Sequence, residues 1–117
     1  MIVLAGIKNC NTVRSARRWL DDNNIEYSFL DLRSDQFDKK TLGMWLAQIE
    51  WTALLNKRST SWRSLEDKER DDLDEAKAMK LMLQHPTLIK RPVLQLADSI
   101  ELGFSAEKYA ELFNKQY

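Results

Sequence analysis

The sequence predicts an α/β domain with a β-α-β half, a β-β-α half and a helical block between them. Three observations predict it. A short apolar run, Ile2 to Ile7, leads into helical spacing and then into a second strand-like run. Near the far end, two short apolar runs are separated only by Ala97-Asp98-Ser99. Between the halves, Leu42, Trp45, Leu46 and Ile49 set out an i, i+3, i+4, i+7 stripe.

The elements follow in order. Ile2 to Ile7 reads as a buried strand broken at Gly6. Asn11 or Thr12 can cap the next helix, which presents Val13, Ala16 and Leu20 on one face. Arg14, Arg17 and Arg18 fall largely on other faces and read as a solvated basic edge. Asp21 to Asn24 closes that helix. Ile25 to Leu30 is the second strand, and a β-α-β unit implies parallel strands with a right-handed crossover. After a polar loop, Asp31 to Asp38, come the amphipathic helix at Leu42 to Ile49 and a short helix at Trp51 to Leu55. Asn56 to Arg63 reads as a basic, hydroxyl-rich loop. Ser64 and Asp67 resemble a capping box, and Asp72 to Gln84 is helical with Ala76, Met79 and Leu83 turned inward. Thr87 to Pro92 is an extended connector. Val93 to Leu96 and Ile100 to Leu102 form a hairpin, and Ser105 caps a last helix through Tyr109, Leu112 and Phe113. This order is the thioredoxin-like architecture: a mixed four-stranded sheet with a helical insertion over about 38–85, in one domain spanning 1–117.

Composition narrows the function. Basic and acidic residues balance at 18 each, so bulk charge gives no reason to expect direct nucleic-acid binding. One cysteine rules out an internal disulfide framework. With a single histidine beside it, too few soft ligands remain for a zinc site, and no metal is expected. The acids Asp71, Asp72, Asp74 and Glu75 read as exposed. No apolar run approaches the roughly 20 residues of a membrane helix, and no secretory signal is visible. The expected setting is a reducing cytoplasm, away from membranes.

The chemistry concentrates at Cys10, between the first strand and the first helix. Helix-start amides favour a thiolate there, and Lys8 and Arg14 lie close in sequence. A reactive thiol and an inert buried cysteine both fit this position. The Lys57-Arg58-Ser59-Thr60 run offers cations and hydroxyls to an oxyanion, with Arg58 the better donor, but is equally compatible with a solvated loop. His85 before Pro86 reads as a helix-end residue rather than a general base.

Several separated motifs then stand in order: Gly6-Ile7-Lys8-Asn9-Cys10-Asn11-Thr12-Val13-Arg14, Ala53-Leu54-Leu55-Asn56, Met82 to Pro86, Ile89-Lys90-Arg91-Pro92-Val93, and Gly103-Phe104-Ser105. Together they resemble the arsenate reductase (ArsC)-like family, in its YffB branch, near the Spx regulators. The resemblance covers essentially the whole chain and implies the same fold. It implies that Cys10 is the redox cysteine. It also implies that Arg91-Pro92 is the pair facing it, with a cis proline, and that Arg91 binds an oxyanion or a carboxylate. Asn11, Thr12 and Arg58 complete the expected binding set. The chain departs from the true reductases at Asn56 and Phe104, where arginines are expected, and these departures point away from efficient arsenate reduction. Val13 replaces the second cysteine of the Spx pair. The resemblance thus implies a monothiol oxidoreductase with no bound cofactor. Glutathione is its expected co-substrate, and a small anionic or disulfide compound its substrate. The alternative is a non-enzymatic regulator that binds RNA polymerase, like Spx.

Overall fold

In the computed structural model, which describes residues 2–114, the chain divides into two units. One unit takes the chain up to Ser34 and from Arg91 onward; the other is Asp35–Lys90.

The first unit carries strands β1 (Val3–Gly6), β2 (Ser28–Asp31), β3 (Val93–Gln95) and β4 (Ile100–Leu102), with helices α1 (Asn11–Asp22) and α7 (Ala106–Asn114). The sheet order is β2-β1-β3-β4. β1 and β2 are parallel, as a β-α-β unit requires, while β3 is antiparallel to both β1 and β4. This is the mixed four-stranded sheet of the thioredoxin-like fold. Leu4 and Leu94 are register partners and face the same side. There they join Ala16 and Leu20 of α1 and Tyr109 and Phe113 of α7 in one buried cluster. Trp19 packs edge-on to Tyr109 and stacks on Phe113 at 5.7 Å.

Helix α1 ends in a motif that explains where β2 begins. Asn24 takes φ 56°, its N–H bonds the carbonyl of Asp21, and the Ile25 N–H reaches back to Leu20. That is a Schellman closure with asparagine in the left-handed position. Ile25 is thereby spent on the core beside Leu20, so the strand starts at Ser28 rather than at Ile25.

The second unit holds α2 (Lys39–Leu46), α3 (Trp51–Leu54), α4 (Thr60–Arg63), α5 (Asp67–Arg70) and α6 (Glu75–Gln84), then a 3₁₀ turn at Pro86–Leu88. Asp38 and Asp74 cap α2 and α6 by accepting the Thr41 and Lys77 N–H groups at 2.9 and 2.8 Å. Trp45 is fully buried and stacks on Phe37 at 5.4 Å. Leu55 and Ile89 pair in an isolated antiparallel bridge.

Four local expectations are corrected. The run read as a loop at Asn56 to Arg63 contains α4, because the Ser59 hydroxyl accepts the Trp62 N–H and starts a turn of helix. The capping box is not Ser64 with Asp67: Glu66 caps α5 and its own N–H bonds the Glu69 carboxylate at 3.0 Å. The extended connector from Thr87 begins instead inside the 3₁₀ turn. Finally, α6 buries Ala78, Leu81 and Met82, not Ala76, Met79 and Leu83. Among the described residues no helix is long and apolar enough to cross a membrane.

Candidate active site

Cys10 is the N-cap of α1, in place of the Asn11 or Thr12 read from the sequence, with extended φ/ψ of −92° and 125°. An N-cap side chain normally carries an oxygen toward the N–H groups two and three residues on. Here those groups belong to Thr12 and Val13, and a sulfur stands in the oxygen's place. The thiol closes no capping hydrogen bond, so the amides remain available to a thiolate. Backbone bonds fix the turn: the Cys10 N–H reaches the Ile7 carbonyl at 3.1 Å, and its carbonyl accepts the Arg14 N–H at 3.0 Å.

The electrostatics follow from this placement. The thiol is half-buried, and burial alone raises its pKa. The Val13 amide, the Arg91 guanidinium and the Thr12 amide together more than offset burial, and the net value lies below the ordinary 9.0. Arg91 acts both by hydrogen bonding and by charge. Cys10, Thr12, Val13 and Arg91 all belong to the first unit.

Arg91 enters β3 through a cis peptide bond to Pro92. Pro92 is buried, and its carbonyl accepts the Gly103 N–H at 2.9 Å, which ties the site to the start of the β3–β4 hairpin. Gly103 adopts φ 79°.

The other expected residues divide. Asn11 and Thr12 are exposed beside Cys10, but the Asn11 side-chain oxygen Oδ1 already accepts Arg14 Nη1 at 3.0 Å. Arg14 also reaches the Lys8 carbonyl with Nε at 3.4 Å. It therefore braces the turn, and neither it nor Lys8 is among the groups that lower the Cys10 pKa. Arg58 lies in the second unit, so the first unit's geometry does not include it. Its backbone N–H bonds the Asn56 side-chain oxygen at 3.0 Å, and its guanidinium has no partner among the described residues. Phe104, where the resemblance expects an arginine, packs edge-on against Tyr109 at 4.7 Å.

Sequence reasoning missed Gly6 as a site residue. A Cβ there would lie 2.6 Å from Val13 Cγ2, so glycine is what lets the end of β1 approach the first turn of α1. The available signal was a glycine ending an apolar strand four residues before the cysteine. Among the described residues, no group of three His, Cys, Asp or Glu side chains is placed to hold a metal ion. The arrangement can hold a sulfur anion at Cys10.

Comparison with known proteins agrees with the fold. The profile of the ArsC family matches residues 5–112. A solved YffB protein is 42% identical, with a TM-score of 0.88 over 95% of this chain and 97% of that one. An arsenate reductase (ArsC) related protein from Brucella melitensis is 38% identical, with a TM-score of 0.76 over 96% and 93% of the two chains. The global transcriptional regulator Spx 2 of Bacillus anthracis is 26% identical over 92% of this chain and 83% of its own length.

Proposed function

The chain belongs to the ArsC family, and from that premise we propose that it is a cytoplasmic, glutathione-linked thiol oxidoreductase with Cys10 as its single nucleophile. The observation that carries the reading is the placement of Cys10 as the N-cap of α1, where the Val13 and Thr12 amides and the Arg91 guanidinium outweigh burial and lower the thiol pKa. A thiol with an ordinary pKa is mostly protonated at neutral pH and reacts slowly.

The chemistry runs in two exchanges. The Cys10 thiolate attacks one sulfur of a disulfide substrate. A new S–S bond forms at Cys10, and the other sulfur leaves as a thiolate with the electron pair. Where the bond retained at Cys10 is to glutathione, a second glutathione thiolate attacks the glutathione sulfur of this mixed disulfide. Glutathione disulfide leaves, and the Cys10 thiolate is restored. An external thiol is needed because Val13 holds the position where an internal resolving cysteine would stand. Arg91 is the proposed anchor for a glutathione or substrate carboxylate, Asn11 and Thr12 line the approach to the sulfur, and Pro92 borders it. Arg58, within the second unit, is a candidate anion contact by itself. Arsenate is a poorer candidate substrate than a glutathione-containing disulfide, because Asn56 and Phe104 supply no cation where the family resemblance expects one.

The test is incubation with glutathione disulfide, followed by intact-mass measurement and titration of the thiol by alkylation rate. The reading expects one glutathione per chain on the native protein, none on Cys10→Ser, and a thiol pKa below 9.0. No adduct together with an unshifted, slow thiol would overturn it.

The likeness to Spx 2 supports a second reading, a regulator that binds RNA polymerase without using the thiol. Stable binding of purified RNA polymerase, unchanged in Cys10→Ser, would favour it.

A further inference from the structure

Helix α6 has two apolar faces, one fully buried and the other half-covered, with Ala76 exposed and Met79 and Leu83 half-buried. Ala78, Leu81 and Met82 are buried. Ala76, Met79 and Leu83, also at helical spacing, line an open groove of about 530 Å³ together with Lys39, Lys80 and Gln84. Met79 meets α2 at its edge, where its methyl lies 3.9 Å from the position a Cβ on Gly43 would take. Polar groups are sparse on the floor, and methionine and leucine side chains adapt readily to an incoming apolar group.

The rim carries the identity of the occupant. Lys39 and Lys80 are exposed, and neither makes a hydrogen bond or ion pair among the described residues. None of the six lining residues is acidic. The adjacent Asp38 caps α2 with one carboxylate oxygen and keeps its charge outside the lining, and Glu75 lines a different hollow with the 46–52 segment, so the lysines are the only charged groups of the lining itself. A second copy presenting the same groove would set lysine against lysine, which disfavours self-pairing. An occupant with apolar anchors and flanking carboxylates would satisfy both floor and rim.

We propose that the α2–α6 groove is a docking surface for an acidic amphipathic helix of a protein partner, with apolar side chains at i, i+3 and i+7 seated on Ala76, Met79 and Leu83. A helix laid along ten residues of α6 has the length and periodicity for this mode of recognition. The proposal is independent of the thiol chemistry, since every residue in it lies within the second unit.

The probe is a synthetic 14-residue helical peptide with leucines at that spacing and glutamates on both flanks. Its twin carries lysines in place of the glutamates. Methyl NMR of the full chain reads Met79 and Leu83. The glutamate peptide is expected to shift both methyls saturably and to bind at least tenfold more tightly than its twin, with affinity falling as salt rises. Lys39→Glu combined with Lys80→Glu should invert that order while leaving the methyl spectrum of the buried Leu81 and Met82 in place. Absence of a saturable shift with the glutamate peptide would overturn the proposal. So would equal binding of both peptides, or an order unchanged in the double variant. Sedimentation showing that the chain pairs with itself through Met79 would replace the proposed occupant with a second copy and overturn it too.

Discussion

Gly6 and Val13 meet so closely that a methyl group on Gly6 would lie 2.6 Å from Cγ2 and 3.0 Å from Cγ1 of Val13. Val13 is fully buried, and a β-branched side chain has little rotamer freedom with which to yield. The relief must therefore come from the backbone, at the turn whose amides face Cys10. Gly6→Ala is expected to lower stability by about 1–3 kcal/mol, as overpacked cores do. It should also raise the Cys10 pKa toward 9.0 by moving the Val13 amide. Urea unfolding checks the first effect and pH-dependent alkylation the second. Gly6→Ala combined with Val13→Ala should recover the pKa if the contact is the cause.

Arg91 is the cation that lowers the Cys10 pKa, so its removal has a predictable sign. Arg91→Ala should raise the thiol pKa, and each unit of rise cuts the thiolate fraction at pH 7 roughly tenfold. Arg91→Lys keeps the charge but loses the planar donor set, and should fall between the two. Alkylation rate against pH measures all three. Stability carries the same signature. Because the native thiol has the lower pKa, the folded state binds fewer protons between that value and the ordinary 9.0. The stability difference between wild type and Cys10→Ser should therefore shift in favour of wild type as pH rises through this window. It should level off above it and be lost as pH falls through the native value. Urea unfolding at a series of pH values reads the curve; a difference independent of pH would show that the folded thiol is unperturbed.

The mixed sheet, with its β-α-β and hairpin halves, was legible because each strand had a local signal, and Ser105 was legible as a cap: its hydroxyl accepts the Lys108 N–H at 3.0 Å. The face of α6 was not. Its stripes at 76, 79, 83 and at 78, 81, 82 both fit a helical period, and only tertiary packing chose between them. The start of α6 was hidden for a different reason: Asp72 takes φ 53° and breaks the run, leaving Asp74 to cap. At the site, Cys10 and the Arg91-Pro92 pair could be matched through the family resemblance. The Gly6–Val13 contact could not, because it is a distance between a strand end and a helix start that no residue pattern encodes.

Tyr109 is fully buried, yet its hydroxyl has no hydrogen-bond partner among the described residues. An unpaired buried hydroxyl costs free energy, while the ring earns its place against Trp19, Phe104 and Phe113. Tyr109→Phe should therefore leave stability unchanged or raise it by about 1 kcal/mol. Tyr109→Ala should cost about 3–5 kcal/mol. Burial, and then the Glu101 charge, hold the native phenol above its ordinary 10.0. The unfolded chain thus ionises first, and the stability tied to this group is fully present below pH 10 and lost as pH rises beyond it. Thermal unfolding of wild type and Tyr109→Phe on either side of pH 10 should show the alkaline loss reduced in the variant.

Val13 follows Cys10 by three residues and donates an amide toward its sulfur. Val13→Cys puts a second thiol on the first turn of α1, at the spacing of a Cys-x-x-Cys pair. The lost methyl contacts should cost about 1 kcal/mol. The chemical consequence is larger. After glutathione becomes attached to Cys10, the introduced thiolate can attack the Cys10 sulfur, form an internal disulfide and expel glutathione as its thiolate. The stable adduct of the native protein should become transient. It should be replaced by a species two mass units lighter than the reduced chain. Time-resolved intact-mass measurement after adding glutathione disulfide distinguishes the two outcomes. A persistent adduct would mean that the buried position keeps its side chain turned away from Cys10, and that Val13 is held by packing against Gly6 rather than standing at a resolving position.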